Sequence, residues 1–168
     1  MADALLQRLS LCHGCMQDVP ARDFAAAAAA AGFPRVTIRL IREGPADEGY
    51  PGNRIDVAGI RDLRGRMSDL GLKLEEVEYA AIAPETQASY FRPLFEAGAE
   101  LGARQVIAIV RPGFASEAAM EERFGEVCAE ARAFGLSLLL EFIAGNGVST
   151  LQDAGRMRPC GSMPSRRA

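Results

Sequence analysis

Hydrophobic and polar positions alternate along this chain in a repeating order. Short apolar, β-branched runs are each followed by a longer segment of helical character, and a glycine closes each such segment. Leu9–Cys12 reads as a weak first strand. Asp18 and Pro20 then supply helix-start signals for Arg22–Ala31, which holds seven consecutive alanines and stops at Gly32. Alanine is the best helix former, and its small side chain lets a helix lie close to a sheet. Val36–Ile41 is the second strand. Arg42–Arg54, with three glycines and two prolines, is a long loop. Ile55–Leu70 is the next helix, stopped by Gly71.

Lys73–Ile82 is the third strand, ended by Pro84. Strict alternation places Leu74, Glu76, Glu78 and Ala80 on one face and Glu75, Val77 and Tyr79 on the other, so each face carries charge. Glu85–Leu101 is helical, with Pro93 either a kink or a late first turn. Gln105–Val110 is the fourth strand. In Ser116–Phe134, residues Met120, Phe124, Val127, Ala131 and Phe134 draw one apolar helical stripe, and the glutamates lie mostly off it.

The fifth strand is the apolar run Leu136–Leu140, which ends in Glu141 and is followed by Gly145-Asn146-Gly147. Such a run reads as a strand buried on both faces. An ionised carboxylate at its end costs several kcal/mol unless a cation or donor meets it. Ser149-Thr150-Leu151-Gln152 has the S-x-x-Q form that opens a further helix.

Strand centres near Val36, Leu74, Val106 and Leu138 are separated by 38, 32 and 32 residues, with one helix in each interval. That is an α/β chain of about five parallel β-α units. A dinucleotide-binding sheet needs a glycine fingerprint after its first strand. Gly98–Gly102 precedes a strand instead. Polar residues recur at successive strand ends (Glu78, Arg111, Glu141), which favours an incomplete TIM barrel whose strand ends share one mouth.

Composition narrows the partners. Over 168 residues the net charge is −3 with acids and bases interspersed, which gives no broad basic field for nucleic acid. No segment is long and apolar enough for a membrane span, and residues 1–10 lack a secretion signal. The scattered Cys12, Cys15, Cys128 and Cys160 read as reduced thiols of a cytoplasmic protein.

Certain stretches carry a likeness. Val77-Glu78-Tyr79, Pro84-Glu85-Thr86, Phe95–Ala103, Phe134-Gly135-Leu136, Leu140-Glu141-Phe142 and Val148–Ala154 together resemble the sugar phosphate isomerase/epimerase family. The likeness covers about Leu9 to Met157. It implies the xylose isomerase-like TIM barrel, also shared with endonuclease IV, and a divalent metal (Mn, Mg, Co or Zn). It implies that Glu141 is a metal ligand and acid/base group. The family's other ligands come from strands six to eight, which this chain does not show. Residues 1–155 would then be a partial barrel and 156–168 a basic, disordered tail, as after a frameshift or gene truncation.

Each candidate has a plainer alternative. Glu141 is either that ligand or a carboxylate neutralised by Arg39 or Arg111. Glu78 either binds substrate hydroxyls or pairs with Arg39 on the neighbouring strand. Cys12-His13-Gly14-Cys15 has the spacing of a redox or zinc pair, but with no second ligand pair in the sequence it reads as loop thiols. His13, Arg39 and Arg111 are substrate contacts at the mouth, and Arg42 is equally a surface residue. Two functions follow. One is a metal-dependent isomerase or epimerase of a small sugar or polyol, moving a proton next to a carbonyl. The other is a non-catalytic partial barrel whose open edge drives homodimer formation. Endonuclease chemistry is disfavoured, since the chain has one histidine.

Overall fold

The computed structural model describes residues 5–40 and 57–157. The expected loop Arg42–Arg54, with Arg42, lies outside the described residues, as does the expected tail beyond Met157. Five strands form one sheet: β1 (Ser10–Cys12), β2 (Arg35–Arg39), β3 (Lys73–Ile82), β4 (Gln105–Val110) and β5 (Ser137–Leu140). All neighbours are parallel, and their spatial order is their chain order. Between and after them run α1 (Ala21–Ala30), α2 (Val57–Asp69), α3 (Arg92–Glu100), α4 (Glu117–Ala133) and α5 (Leu151–Arg156). A doubly wound sheet reverses its strand order at a switch point. Here every crossover advances in the same direction. Right-handed crossovers of that kind put all the helices on one face, as in a barrel wall.

One local device repeats at four helix ends. Gly32, Gly71, Gly102 and Gly135 all have positive φ, between 66° and 83°. The residue after each glycine donates its N–H to a carbonyl five positions back: Phe33 to Ala28, Leu72 to Met67, Ala103 to Gly98 and Leu136 to Ala131. This is the 6→1 bond of a Schellman stop, which needs a residue free to adopt the left-handed region. It turns the chain from each helix straight into the next strand.

The core lies between the sheet and its helices. Ala21, Phe24, Ala25 and Ala28 of α1 are buried against it, so the alanine run is a close-packed helix. Gly98 of α3 approaches so closely that an added Cβ would lie 3.2 Å from a Val77 methyl. On α4, Phe124, Val127 and Ala131 are buried, with Met120 and Phe134 packed beside them, which is the expected stripe.

Several local expectations are decided or corrected. Pro93 is a late first turn: a 3-10 turn over Ala88–Phe91 precedes α3, and proline stands where a helix has no use for its N–H. The last cap is T-x-x-D, one residue later than S-x-x-Q. Thr150 accepts from the Asp153 N–H, while the Asp153 carboxylate accepts from the Thr150 and Ser149 N–H groups. Strand β5 is not buried on both faces. Ser137 is exposed and Leu139 and Leu140 are half-buried, because among the described residues β5 is an edge strand paired with β4 alone. Cys12 and Cys15 are free thiols, but Cys128 is disulfide-bonded, so the all-thiol reading fails at that residue.

The alternation expected of β3 is broken twice. The register with β2 shifts so that Val36 pairs with Leu74 but Thr37 with Glu76, which makes Glu75 the extra residue of a bulge. A second shift lies between Val77 and Ala80 against β4. Leu74, Val77 and Ala80 therefore share the buried, helix-packed face, while Glu76 and Glu78 share the other face with Thr37 and Arg39.

Candidate functional site

The face turned away from the helices carries the polar side chains of the sheet. Register places Thr37 and Arg39 of β2 beside Glu76 and Glu78 of β3. Glu141 continues the β5 ladder by one residue, its N–H donating to the Ala108 carbonyl at 2.8 Å. Alternation from Leu138 and Leu140, which pair with Val106 and Ala108, brings Glu141 to the same inner face.

Glu78 is the buried centre of this group, at 6% exposure. The Cys12 thiol donates to Glu78 Oε1 at 2.8 Å, and Arg39 Nη2 donates to Oε2 at 3.4 Å. Of the two readings offered by the sequence, the Arg39–Glu78 salt link is present. The Arg39 guanidinium also lies 4.6 Å over the Tyr79 ring. Burial, reinforced by the bond to Glu78, pushes the Cys12 thiol up to about 12. Cys12 is therefore a proton donor at neutral pH.

Glu76 was not among the residues picked out for chemistry, although its place two residues before Glu78 was the available signal. Burial raises its carboxyl above the ordinary value. The Thr37 hydroxyl, donating at 3.4 Å, opposes that rise, while the charges of Glu75, Glu78 and Glu141 add to it. Among the described residues the inner face thus gathers Glu76, Glu78 and Glu141, with the Arg39 guanidinium paired to Glu78.

His13 is only 1% exposed and stacks on Phe24 at 4.5 Å between ring centroids. Its Nδ1 lies 3.4 Å from the Arg39 N–H, a donor, and its Nε2 lies 2.8 Å from the Val19 carbonyl, an acceptor. Those partners fix the tautomer: Nε2 carries the proton. The ring thereby ties the end of β1 to β2 and to the turn before α1. Burial lowers its pKa, against opposing pulls from the Val19 bond and Glu78.

That shift predicts a pH dependence of stability. The unfolded chain takes up a proton near pH 6.5 and the folded chain only below it. The stability contributed by neutral His13 is complete above that value. It declines as pH falls, until the folded ring is protonated too. Urea midpoints measured from pH 7 to 5.5 should fall in the native chain and fall less steeply in His13→Gln. Equal slopes would refute the assignment.

Arg111 and Glu141 stand at strand ends. Arg111 reaches Asn146 Oδ1 at 3.5 Å in the loop after β5, and its N–H donates to Ile82 at 2.8 Å. Gly147 lies against this turn, where a Cβ would come within 2.7 Å of the Arg111 carbonyl oxygen. Glu141 is exposed, and among the described residues neither Arg39 nor Arg111 pairs with it. The desolvation argument that singled it out therefore does not apply, because an edge strand leaves its end in water.

A catalytic divalent ion commonly takes about three protein ligands. Among the described residues no group of three His, Cys, Asp or Glu side chains could hold one. Both oxygens of Glu78 are already engaged by Cys12 and Arg39. The described donor set does not fit a metal centre. A cavity of about 530 Å³ lies at the opposite, N-terminal end of the strands, lined by Arg35, Arg64, Lys73 and Arg104 together with Glu75, and not by Glu76, Glu78 or Glu141. No described helix is long and apolar enough to cross a membrane.

No family model matches the sequence, and no curated protein matches it significantly. Solved structures do. The chain is similar to a xylose isomerase domain containing protein from Salmonella typhimurium LT2, with a TM-score of 0.66 at 12% identity over 83% of this chain and 50% of that one. It is similar to an IOLI protein with a bound zinc atom, with a TM-score of 0.63 at 15% identity over 87% and 56% of the two chains. An L-ribulose 3-epimerase gives a TM-score of 0.56 at 17% identity over 88% and 57%. The chain spans about half the length of these proteins. Its five parallel strands and alternating helices are a partial barrel of the xylose isomerase-like TIM type.

Proposed function

We propose that the chain serves an isomerase or epimerase of a small sugar or polyol, in which Glu141 moves a proton next to a carbonyl. The observation that carries this reading is the place of Glu141. It is an exposed carboxylate just past the carboxyl end of β5, on the inner face, with no cation paired to it among the described residues. A general base must be reachable by the substrate, and Glu141 is exposed at the strand end. Arg111 at the end of β4 is the nearby strand-end donor for a substrate oxygen, and Arg39 with Glu78 holds the interior polar face in place. His13 has a positioning role, since both ring nitrogens are already bonded to the backbone. A similar fold in an L-ribulose 3-epimerase supports the substrate class. No step is assigned to a metal ion.

Ketopentoses and ketohexoses incubated with the protein in D₂O should lose the proton signal beside the carbonyl. Glu141→Gln should slow that exchange by about 10²-fold or more, the usual worth of a general base. Absence of exchange in the native chain, or an unaffected variant, would sink this reading.

A second reading is a non-catalytic, self-associating partial barrel. It is favoured by the sheet's ends. Within the described residues β1 and β5 each have one unpaired edge, and Leu9, Phe142, Ile143 and Leu151 lie exposed near them. Unpaired parallel edges beside apolar side chains are a template for association. Light scattering on a size-exclusion column should then give a dimer or larger. A stable monomer at micromolar concentration would remove this alternative.

A further inference from the structure

We propose that Cys12 and Cys15 are a reversible redox pair in which Glu78 takes up the Cys12 proton as the disulfide closes. This is independent of the sugar chemistry. Cys12 caps the 3-10 turn His13–Met16, its sulfur accepting from the Gly14 N–H at 3.3 Å. As the cap, Cys12 stands just outside the turn with extended backbone, three residues before Cys15. Turn geometry holds positions i and i+3 within about 7 Å, which overlaps the roughly 4.4–6.8 Å span of a disulfide. Both thiols are free.

The two sulfurs have different environments, and the difference assigns their roles. Cys15 is exposed. Cys12 is half-buried and holds its proton against Glu78 at 2.8 Å. A peroxide therefore oxidises Cys15 first: its sulfur gains one oxygen, the O–O bond breaks, and water or an alcohol leaves. Cys12 then attacks that sulfenic sulfur. The S–S bond forms, the S–O bond breaks, and the Cys12 proton passes through Glu78 to the departing hydroxide as water. Two thiols lose two electrons, and the peroxide gains them. In the oxidised form Glu78 has lost its thiol donor and keeps Arg39, so the state of this turn is transmitted to the buried carboxylate of the inner face.

The test uses the full chain and hydrogen peroxide. The tryptic peptide Leu9–Arg22 contains both cysteines, so the disulfide at Cys128 does not enter the measurement. After peroxide this peptide should be lighter by two hydrogens and return to its reduced mass with dithiothreitol. Cys12→Ser, whose hydroxyl can still donate to Glu78, should stop at a Cys15 sulfenic acid trapped by dimedone. Glu78→Gln should leave oxidation of Cys15 unchanged and slow closure about ten-fold or more, having lost the proton acceptor. Over-oxidation of Cys15 with Cys12 still a thiol would overturn the pair. Closure at the native rate in a folded Glu78→Gln protein would overturn the role of Glu78.

Discussion

Arg39→Ala should destabilise the protein by about 3–5 kcal/mol, because it strips the cation from a carboxylate that stays buried. The side chains concerned are 14% and 7% exposed, so water reaches neither end of the pair freely. A surface ion pair would count for about 1 kcal/mol or less. The variant loses, in addition, the guanidinium face over Tyr79. Removing both charges is a different experiment. Arg39→Met with Glu78→Leu replaces the pair by apolar groups and should recover most of the loss, since no charge is left stranded. Urea unfolding of Arg39→Met, Glu78→Leu and the double variant measures the coupling directly. A loss below about 1 kcal/mol in Arg39→Ala would mean that Glu78 is hydrated in solution and that the inner face is more open than its packing indicates.

This pair also marks how far the residues announce their own arrangement. The five-unit repeat is legible because its signals are local: an apolar run, a helix and a glycine that stops it. Each of Gly32, Gly71, Gly102 and Gly135 does in the structure what its place in the repeat requires. The register of β3 is not legible in the same way. Bulges at Glu75 and between Val77 and Ala80 arise from fitting this strand to both neighbours, and a single strand's pattern cannot express that. The consequence is chemical: Leu74 leaves the face of Glu76, and Glu76 and Glu78 meet Thr37 and Arg39.

Glu141 and Cys12 fail to reveal themselves for opposite reasons. An edge strand and a central strand can share one apolar run, so the exposure of Glu141 depends on what lies beside β5, not on β5 itself. The Cys12–Glu78 bond joins residues 66 apart. It exists because β1 and β3 both flank β2, a relation set by topology. Overlapping caps show the smallest such ambiguity. Ser149 and Thr150 could each open the last helix, and the Asp153 carboxylate decides for Thr150 by meeting two backbone N–H groups.

Phe24→Ala is the second large effect expected, at about 3–5 kcal/mol. Phe24 is fully buried on α1, with Ala21, Ala25 and Ala28 around it on the same packed face. Alanines lie close to the sheet but fill little volume, so the ring is what fills the space between α1 and the end of β1. Its removal leaves a cavity that rigid helix and sheet backbones cannot close. It also uncovers one face of His13, whose ring stacks on it at 18° between planes. With that cover gone, water reaches an imidazole that is neutral because it is buried, and the pH slope assigned to His13 should flatten. Phe24→Leu separates the two parts. It refills most of the volume, should cost about 1–2 kcal/mol, and still lacks the aromatic contact. For a chain of this size each kcal/mol shifts Tm by about 2–4 °C, so Phe24→Ala should melt roughly 6–20 °C lower. A variant melting within a degree or two of the native protein would show that α1 is not packed on the sheet through Phe24. In that case the tie from β1 through His13 to β2 would have to rest on its two backbone hydrogen bonds alone.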